Sequence, residues 1–362
     1  MLRSLKIENF RCFQNFELQQ LGRLNLLVGE NNSGKTSMLE AIHLLTSQSN
    51  LESLSEIMIR RGEYLFNDER STEPVVRRIR ELDISHLFYG HEIDVHSEFS
   101  ILSKNSNSEE GITVSIEKIG QLGLFEDIRE FILIIEWLGQ KGESLKLPLS
   151  PGDNSLPLDY IRRIRRSMNT SGVKIQFVTS SSLTPEEMIN LFNKVVLTAE
   201  EDLVMEALQV IEPKIKRIAP GDIKFREPSS RIGFRVLLSD SEKPIPIGSM
   251  GDGIWRILGL TLAIVNAKNG VLLVDEIDTG LHFSTMSDMW KLIWETAKRL
   301  NVQVFATTHS DDCWKSLADI ANLDNPSEDG IMIHRIEKGK SRSIAFTERQ
   351  VAIAAEQEIE VR

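Results

Sequence analysis

Cysteine is scarce. Only Cys12 and Cys313 occur in 362 residues, far apart and without metal-ligand spacing. A dense disulfide framework is excluded, and a reducing compartment such as the cytoplasm is expected rather than export. Long apolar runs are missing as well. The apolar stretches are strand-length or broken by charge, and none approaches the roughly 20 residues of a membrane span. The start, MLRSLKIENF, has early charge but no apolar signal-peptide core. No membrane span is therefore expected. Net positive charge is also lacking: 53 acidic against 42 basic side chains leave −11. That disfavours a surface coating DNA indiscriminately, yet leaves room for a basic groove on one face. No internal repeat is evident, and the heptads are too short and broken for a chain-long coiled coil.

What is present is an ordinary globular balance, long enough for two lobes or one large domain with an insertion. Residues 1–50 read as strand, turn, strand, loop and helix. In the middle, EIMIRRGEYLF and VVRRIRELDISHLF look helical or irregular, while GITVSIEKI and REFILIIEWLG read as strands. Residues 184–218 are the clearest helical region. Thr184 can cap, Pro185 suits the first turn, Glu187 completes the capping spacing, and Thr198 offers a second cap. The C-terminal part returns to alternation: GVLLVDEI and VQVFATTHS as strands, WRILGLTLAIVNA, SDMWKLIWETAKRL and DDCWKSLADIA as helices. The expected organisation is an α/β head split between residues 1–50 and 223–362. A mainly helical lobe with some β structure, residues 51–222, is inserted between them.

The chemistry begins in LLVGENNSGKTSMLEAI, residues 26–42, which contains a complete GxxxxGKT pattern. It follows a β run and opens a helix, the context that gives the pattern meaning. Gly29, Asn31, Asn32, Ser33 and Gly34 form a tight wrap whose backbone N–H groups can face phosphates. Lys35 would contact the β- and γ-phosphates, and Thr36 would ligate magnesium. The plainer alternative is a structural glycine turn. VLLVDEID supplies the complementary half. Four apolar residues place Asp275 at the end of a buried strand, where it can hold magnesium's hydration shell. Glu276 follows and can act as general base toward water. Alone, this acid pair could simply begin a helix or loop. VFATTHS ends a third apolar strand in polar chemistry, where His309 can orient the γ-phosphate and the attacking water. A lone histidine at a strand end is more often structural.

Taken together, these segments resemble the ABC-type ATPase heads of the SMC, RecF and OLD proteins, especially the AAA15 or OLD-like group. IENFRCFQNFEL is similar to the FR-containing N-terminal strand of those heads, DEIDTGLH to their Walker B and D-loop, and ATTHS to their histidine switch. The resemblance covers residues 1–48 and about 225–340. It implies a P-loop NTPase with an ABC-type head that hydrolyses ATP with Mg2+. It also gives weight to GSMGDGIWRILGL, residues 248–260, at the position of the ABC signature although LSGGQ wording is absent. Ser249, Gly251 and Gly253 would then contact the γ-phosphate held by a second copy, making a homodimer with two shared sites. The alternative is a glycine-rich turn feeding a buried helix. Asp278 to His282 would form the D-loop, and Arg11 could lie near the nucleotide. Neither Gln48 nor Gln121 has the context of a Q-loop glutamine.

For partners, the runs with Arg77, Arg78 and Arg80, and with Arg162, Arg163, Arg165 and Arg166, invite phosphate contacts. A solvated helix face is the plainer account of them. The resemblance raises DNA handling above what charge alone supports. OLD proteins commonly append a TOPRIM nuclease domain, but here only 53 residues follow His309. A separate nuclease or effector protein is therefore the expectation, in a DNA-repair or phage-defence assembly. An ATP-dependent protein-interaction switch is the alternative.

Overall fold

The computed structural model describes residues 1–48, 50–66, 79–105, 108–119, 130–139, 144–150, 155–165, 173–221, 233–321 and 329–361. The chain forms two compact units. One comprises Met1–Gln20, Thr36–Gly172 and Lys338–Ser343; the other comprises Leu21–Lys35, Val173–Glu337 and Ile344–Arg362.

In the first unit the strands Ser4–Phe10 and Phe13–Leu18 make a tight hairpin that opens a six-stranded antiparallel sheet. The sheet continues through Glu98–Lys104, Glu109–Ile119, Glu130–Leu138 and Ser144–Pro148. The hairpin strands alternate apolar and polar residues, so Leu5, Ile7, Phe10, Phe13, Phe16 and Leu18 are all buried. Phe99 packs against Phe10 and Phe88, each at 5.2 Å between ring centroids. The helical texture expected for residues 51–222 is therefore met only in part. Between 98 and 148 the described residues form strands, because β-branched and apolar residues recur there at period two. The helix Glu52–Arg61 ends at Gly62, whose φ of +75° suits the left-handed C-cap. Arg77, Arg78 and Arg166 lie outside the described residues, as do the side chains of Arg80 and Arg165. Arg162, on the helix Leu158–Arg165, pairs with Asp159 at 3.4 Å, and Arg163 is exposed.

The second unit carries the parallel sheet. Its strands are β1 (Leu24–Val28), β2 (Ile175–Val178), β3 (Val271–Val274), β4 (Gln303–Thr307), β5 (Ile331–Arg335) and β6 (Ile344–Thr347). Their order is β2-β3-β4-β1-β5-β6, parallel except for the last pair. β1, β3 and β4 are buried at every position, which is why they read as continuous apolar runs. The loop after β1 ends at Lys35, where helix α1 (Lys35–Thr46) begins; from Thr36 onward that helix belongs to the first unit. Helices α2 (Pro185–Val195) and α3 (Ala199–Ile211) are where the capping spacings placed them. Thr184 and Glu187 exchange the two bonds of a capping box, and Thr198 accepts from the Glu200 N–H. Helices α4 (Asp252–Asn266), α5 (Met286–Leu300) and α6 (Asp311–Ala321) complete a core that includes Trp255, Trp290 and Trp314. Residues 173–221 thus group with the parallel sheet rather than with the segment before them. Among the described residues no helix is long and apolar enough to cross a membrane.

Candidate nucleotide site

The phosphate loop, the acid pair and the histidine each follow the carboxyl end of a parallel strand, where open α/β sheets bind ligands. β1 leads into Gly29, β3 into Asp275, and β4 into Thr308 and His309. Because β4 lies between β3 and β1, the histidine's strand separates the phosphate loop from the acid pair.

The loop after β1 has a backbone that its sequence explains. At Gly29 (φ +143°) an added Cβ would lie 2.3 Å from the Ile336 carbonyl oxygen, so no side chain fits. Asn32 and Gly34 also have positive φ, +62° and +101°, a region that glycine and asparagine tolerate best. Lys35 is buried, and its Nζ donates to the carbonyls of Gly29 and Glu30 at 2.7 and 2.8 Å. The ammonium thus sits within the curl of the loop. Ser33 is buried, while Asn31 and Asn32 are exposed. Thr36 follows in the first turn of α1.

The acid pair is held by side chains from other elements. Thr307 Oγ1 donates to Asp275 Oδ1 at 2.6 Å and accepts the Glu276 N–H at 2.8 Å. Thr308 donates to Asp278 at 2.7 Å. Glu276 has φ +46°, costly for a residue with a side chain (about 1–3 kcal/mol) and characteristic of functional positions. Its carboxylate is 40% exposed, with Oε2 at 3.4 Å from Thr279 Oγ1 and Oε1 at 3.9 Å from His309 Nδ1. The structure therefore brings Glu276 and His309 side by side, from different strands, both open to solvent.

On α4, Arg256 is almost fully buried. It donates to the carbonyls of Thr179 (2.7 Å), Asp275 (3.1 Å) and Glu276 (2.8 Å). Burial lowers its guanidinium to about 10, against the opposing pull of Asp278, Asp275 and Glu276, so it stays charged at neutral pH. Thr307, Thr308 and Arg256 were not foreseen from the motifs. The threonines stand beside His309 in ATTHS, and Arg256 is the one charge in WRILGLTLAIV. A single charge inside an apolar helix needs buried partners, and that was the available signal.

The segment before α4 is a 3₁₀ turn, Ile247–Met250, ending in Gly251 with φ +94°. Ser249 and Gly251 are exposed, and Gly253 is half-buried. An added Cβ at Gly253 would meet only Gly280 O at 3.7 Å and Leu281 at 3.8 Å, ordinary contacts. Packing within the chain does not demand glycine there. His282 is exposed, with Nδ1 at 2.9 Å from Ser284 Oγ of its own loop.

Arg11 belongs to a buried ion cluster. It is buried within the first unit, with Nε at 2.7 Å from Glu40 and Nη1 at 2.6 Å from Glu63. Arg61 shares Glu40 at 2.7 Å and reaches Ser37 at 3.1 Å.

Asp275, just after β3, offers the kind of oxygen donor a hard cation takes, since magnesium is usually held by one or two carboxylates plus substrate phosphates. Among the described residues no group of three or more His, Cys, Asp or Glu forms a metal cage.

Known proteins share this plan. The "ATP/GTP phosphatase" of Helicobacter pylori is 23% identical over 335 residues, 86% of this chain and 86% of that protein. The "OLD nuclease" of Thermus scotoductus is 22% identical over 328 residues, 86% of this chain but 59% of that protein. The RecF protein of Thermomicrobium roseum is 39% identical over 83 residues, 23% of this chain and 20% of its own. An SMC head, solved bound to the C-terminal winged-helix domain of ScpA, superposes with a TM-score of 0.51 at 16% identity, covering 96% of this chain and 98% of that one. The fold is that of an ABC-type ATPase of the SMC, RecF and OLD class, and the chain hydrolyses ATP. Residues 24–312 match the family described as "AAA domain, putative AbiEii toxin, Type IV TA system". The chain belongs to that family.

Proposed function

We propose that this ATPase is a magnesium-dependent, dimerising switch in a DNA-associated repair or phage-defence assembly in the cytoplasm. The observation that carries it is the meeting of Glu276 and His309, 3.9 Å apart, beyond the strand ends that also deliver the Lys35 loop and Asp275. Lys35 binds the phosphates within a backbone cradle formed by Gly29, Asn31, Asn32, Ser33 and Gly34. Thr36 and Asp275 would hold magnesium, which neutralises charge on the phosphate oxygens. Glu276 takes the proton of the attacking water and His309 orients that water and the γ-phosphate. Homodimerisation is supported by the exposed Ser249 and Gly251 and by a glycine at 253 that the chain's own packing does not require. DNA association is supported by similarity to the OLD nuclease and, over a short stretch, to RecF. Nuclease action would come from a separate effector.

The test combines ATP turnover and mass measurement, with and without DNA, for the native protein and for Glu276→Gln. The variant should keep ATP binding, lose on the order of 10²–10⁴ in turnover, and accumulate as closed dimers. DNA should stimulate the native enzyme. Native turnover in Glu276→Gln refutes the general base. ATP-dependent dimers that ignore DNA point instead to the second reading, a switch acting on a protein partner.

A further inference from the structure

The main-chain segment that presents Glu276 is gripped from two sides. Its N–H is fixed by Thr307 of β4 and its carbonyl by Arg256 of α4. The residue between those bonds holds a left-handed φ of +46°, which a side chain resists. Thr279 N–H adds a third bond, to the Glu276 carbonyl at 3.1 Å, but that bond is local to the loop. Arg256 is different because it reaches across from another helix and joins the ends of two strands. Its guanidinium bridges Thr179, just after β2, to Asp275 and Glu276, just after β3.

The choice of acceptors is informative. Three carboxylates, Asp275, Glu276 and Asp278, lie close enough to influence Arg256, yet all three of its hydrogen bonds end on main-chain carbonyls. Its Nε is buried with no hydrogen-bond partner among the described residues. An arginine serving only to neutralise the acids would fork onto a carboxylate, which matches its geometry better. Here the carboxylates are bonded by threonine hydroxyls, Asp275 by Thr307 and Asp278 by Thr308, while the guanidinium fixes the backbone of Asp275 and Glu276. Arg256 also lies a single turn beyond Gly253, in the helix that Gly251 opens. The Ser249–Gly253 segment therefore leads straight into the helical turn that carries Arg256.

We propose that Arg256 is a positioning residue for ATP hydrolysis: it locks the backbone of Glu276 and couples it to the seating of the Ser249–Gly253 segment. This rests on Glu276 being the general base. Because a misplacement of about 1 Å can cost on the order of 10²-fold in rate, a loosened Glu276 would depress turnover while the phosphate loop still binds nucleotide.

Four proteins test it: native, Arg256→Met, Glu276→Gln and the double variant. Each is assayed for single-turnover hydrolysis and for binding of a fluorescent ATP analogue. Arg256→Met should lower kcat by about 10- to 100-fold with the dissociation constant within about twofold of native. The double variant should hydrolyse no more slowly than Glu276→Gln alone, because a residue acting through Glu276 has nothing left to position. Arg256→Lys, which keeps the charge, should fold and give an intermediate kcat, which covers the case of a Met variant that fails to fold. Native kcat in both Arg256 variants, with Glu276→Gln crippled, overturns the proposal alone. A double variant slower by the product of the two losses also overturns it and makes Arg256 a purely structural residue. Native turnover in Glu276→Gln overturns the general-base reading and the proposal with it.

Discussion

Arg11 and Arg256 are two buried arginines put to opposite uses. Arg11 meets carboxylates side chain to side chain, Glu40 and Glu63, with Arg61 sharing Glu40. Arg256 lies near three carboxylates and bonds to carbonyls instead. In the first arrangement opposite charges cancel and the cluster is complete within its unit. In the second, the arginine holds backbone, and threonine hydroxyls meet the carboxylates of Asp275 and Asp278. The pairing pattern, rather than burial or charge, separates scaffold from site.

The sharpest way to break the comparison is at Arg11. Removing one partner from a buried ion cluster leaves the others uncompensated, so Arg11→Met should cost about 3–5 kcal/mol in urea unfolding. A loss below about 1 kcal/mol would mean that Glu40 and Glu63 are not held as charges.

His334 extends the comparison to a buried base that does not stay charged. It lies on β5, and burial lowers its imidazole from 6.5 to about 4, so it is neutral at pH 7. The unfolded chain binds the proton first as pH falls. The stabilisation is therefore complete above about pH 6.5 and is lost as pH drops toward 4, by about 2 kcal/mol at pH 5. Unfolding free energies at pH 7.5 and 5 should differ less in His334→Asn than in the native protein. An equal difference would show that other groups carry the acid sensitivity.

The smallest expected effect is at Gly253. Alanine there meets only ordinary contacts and should leave stability unchanged or raise it by about 0.5–1 kcal/mol. Turnover should nonetheless fall, since the proposed close approach of a second copy leaves no room for the methyl group. Native turnover in Gly253→Ala would remove that support for a shared site. Alanine at Gly29, by contrast, would drive a Cβ into a carbonyl oxygen of its own chain.

Much of the site was legible because its chemistry is local. VLLVDEID and ATTHS each combine an apolar strand with polar residues at its end, so period and residue type together placed Asp275, Glu276 and His309 just after strands, while GENNSGKT placed Lys35 where a loop opens a helix. The capping of α2 and α3 was readable for the same reason, since Thr184, Pro185 and Glu187 act within one turn. The ion cluster around Arg11 was not legible, because its partners Glu40 and Glu63 are 29 and 52 residues away. The sheet between residues 98 and 148 was only half seen, since strand pairing is a long-range property that no single run declares.

The sequence alone determined the nucleotide chemistry, because backbone conformation in a glycine-rich loop and polarity at the end of an apolar strand are set within a few residues. Tertiary structure decided which groups face one another. Glu276 beside His309, Thr307 under Asp275, and Arg256 on the carbonyls of two strand ends all depend on the order β2-β3-β4-β1. Strand order follows from how buried surfaces pack across the whole unit, and no segment of the chain contains it.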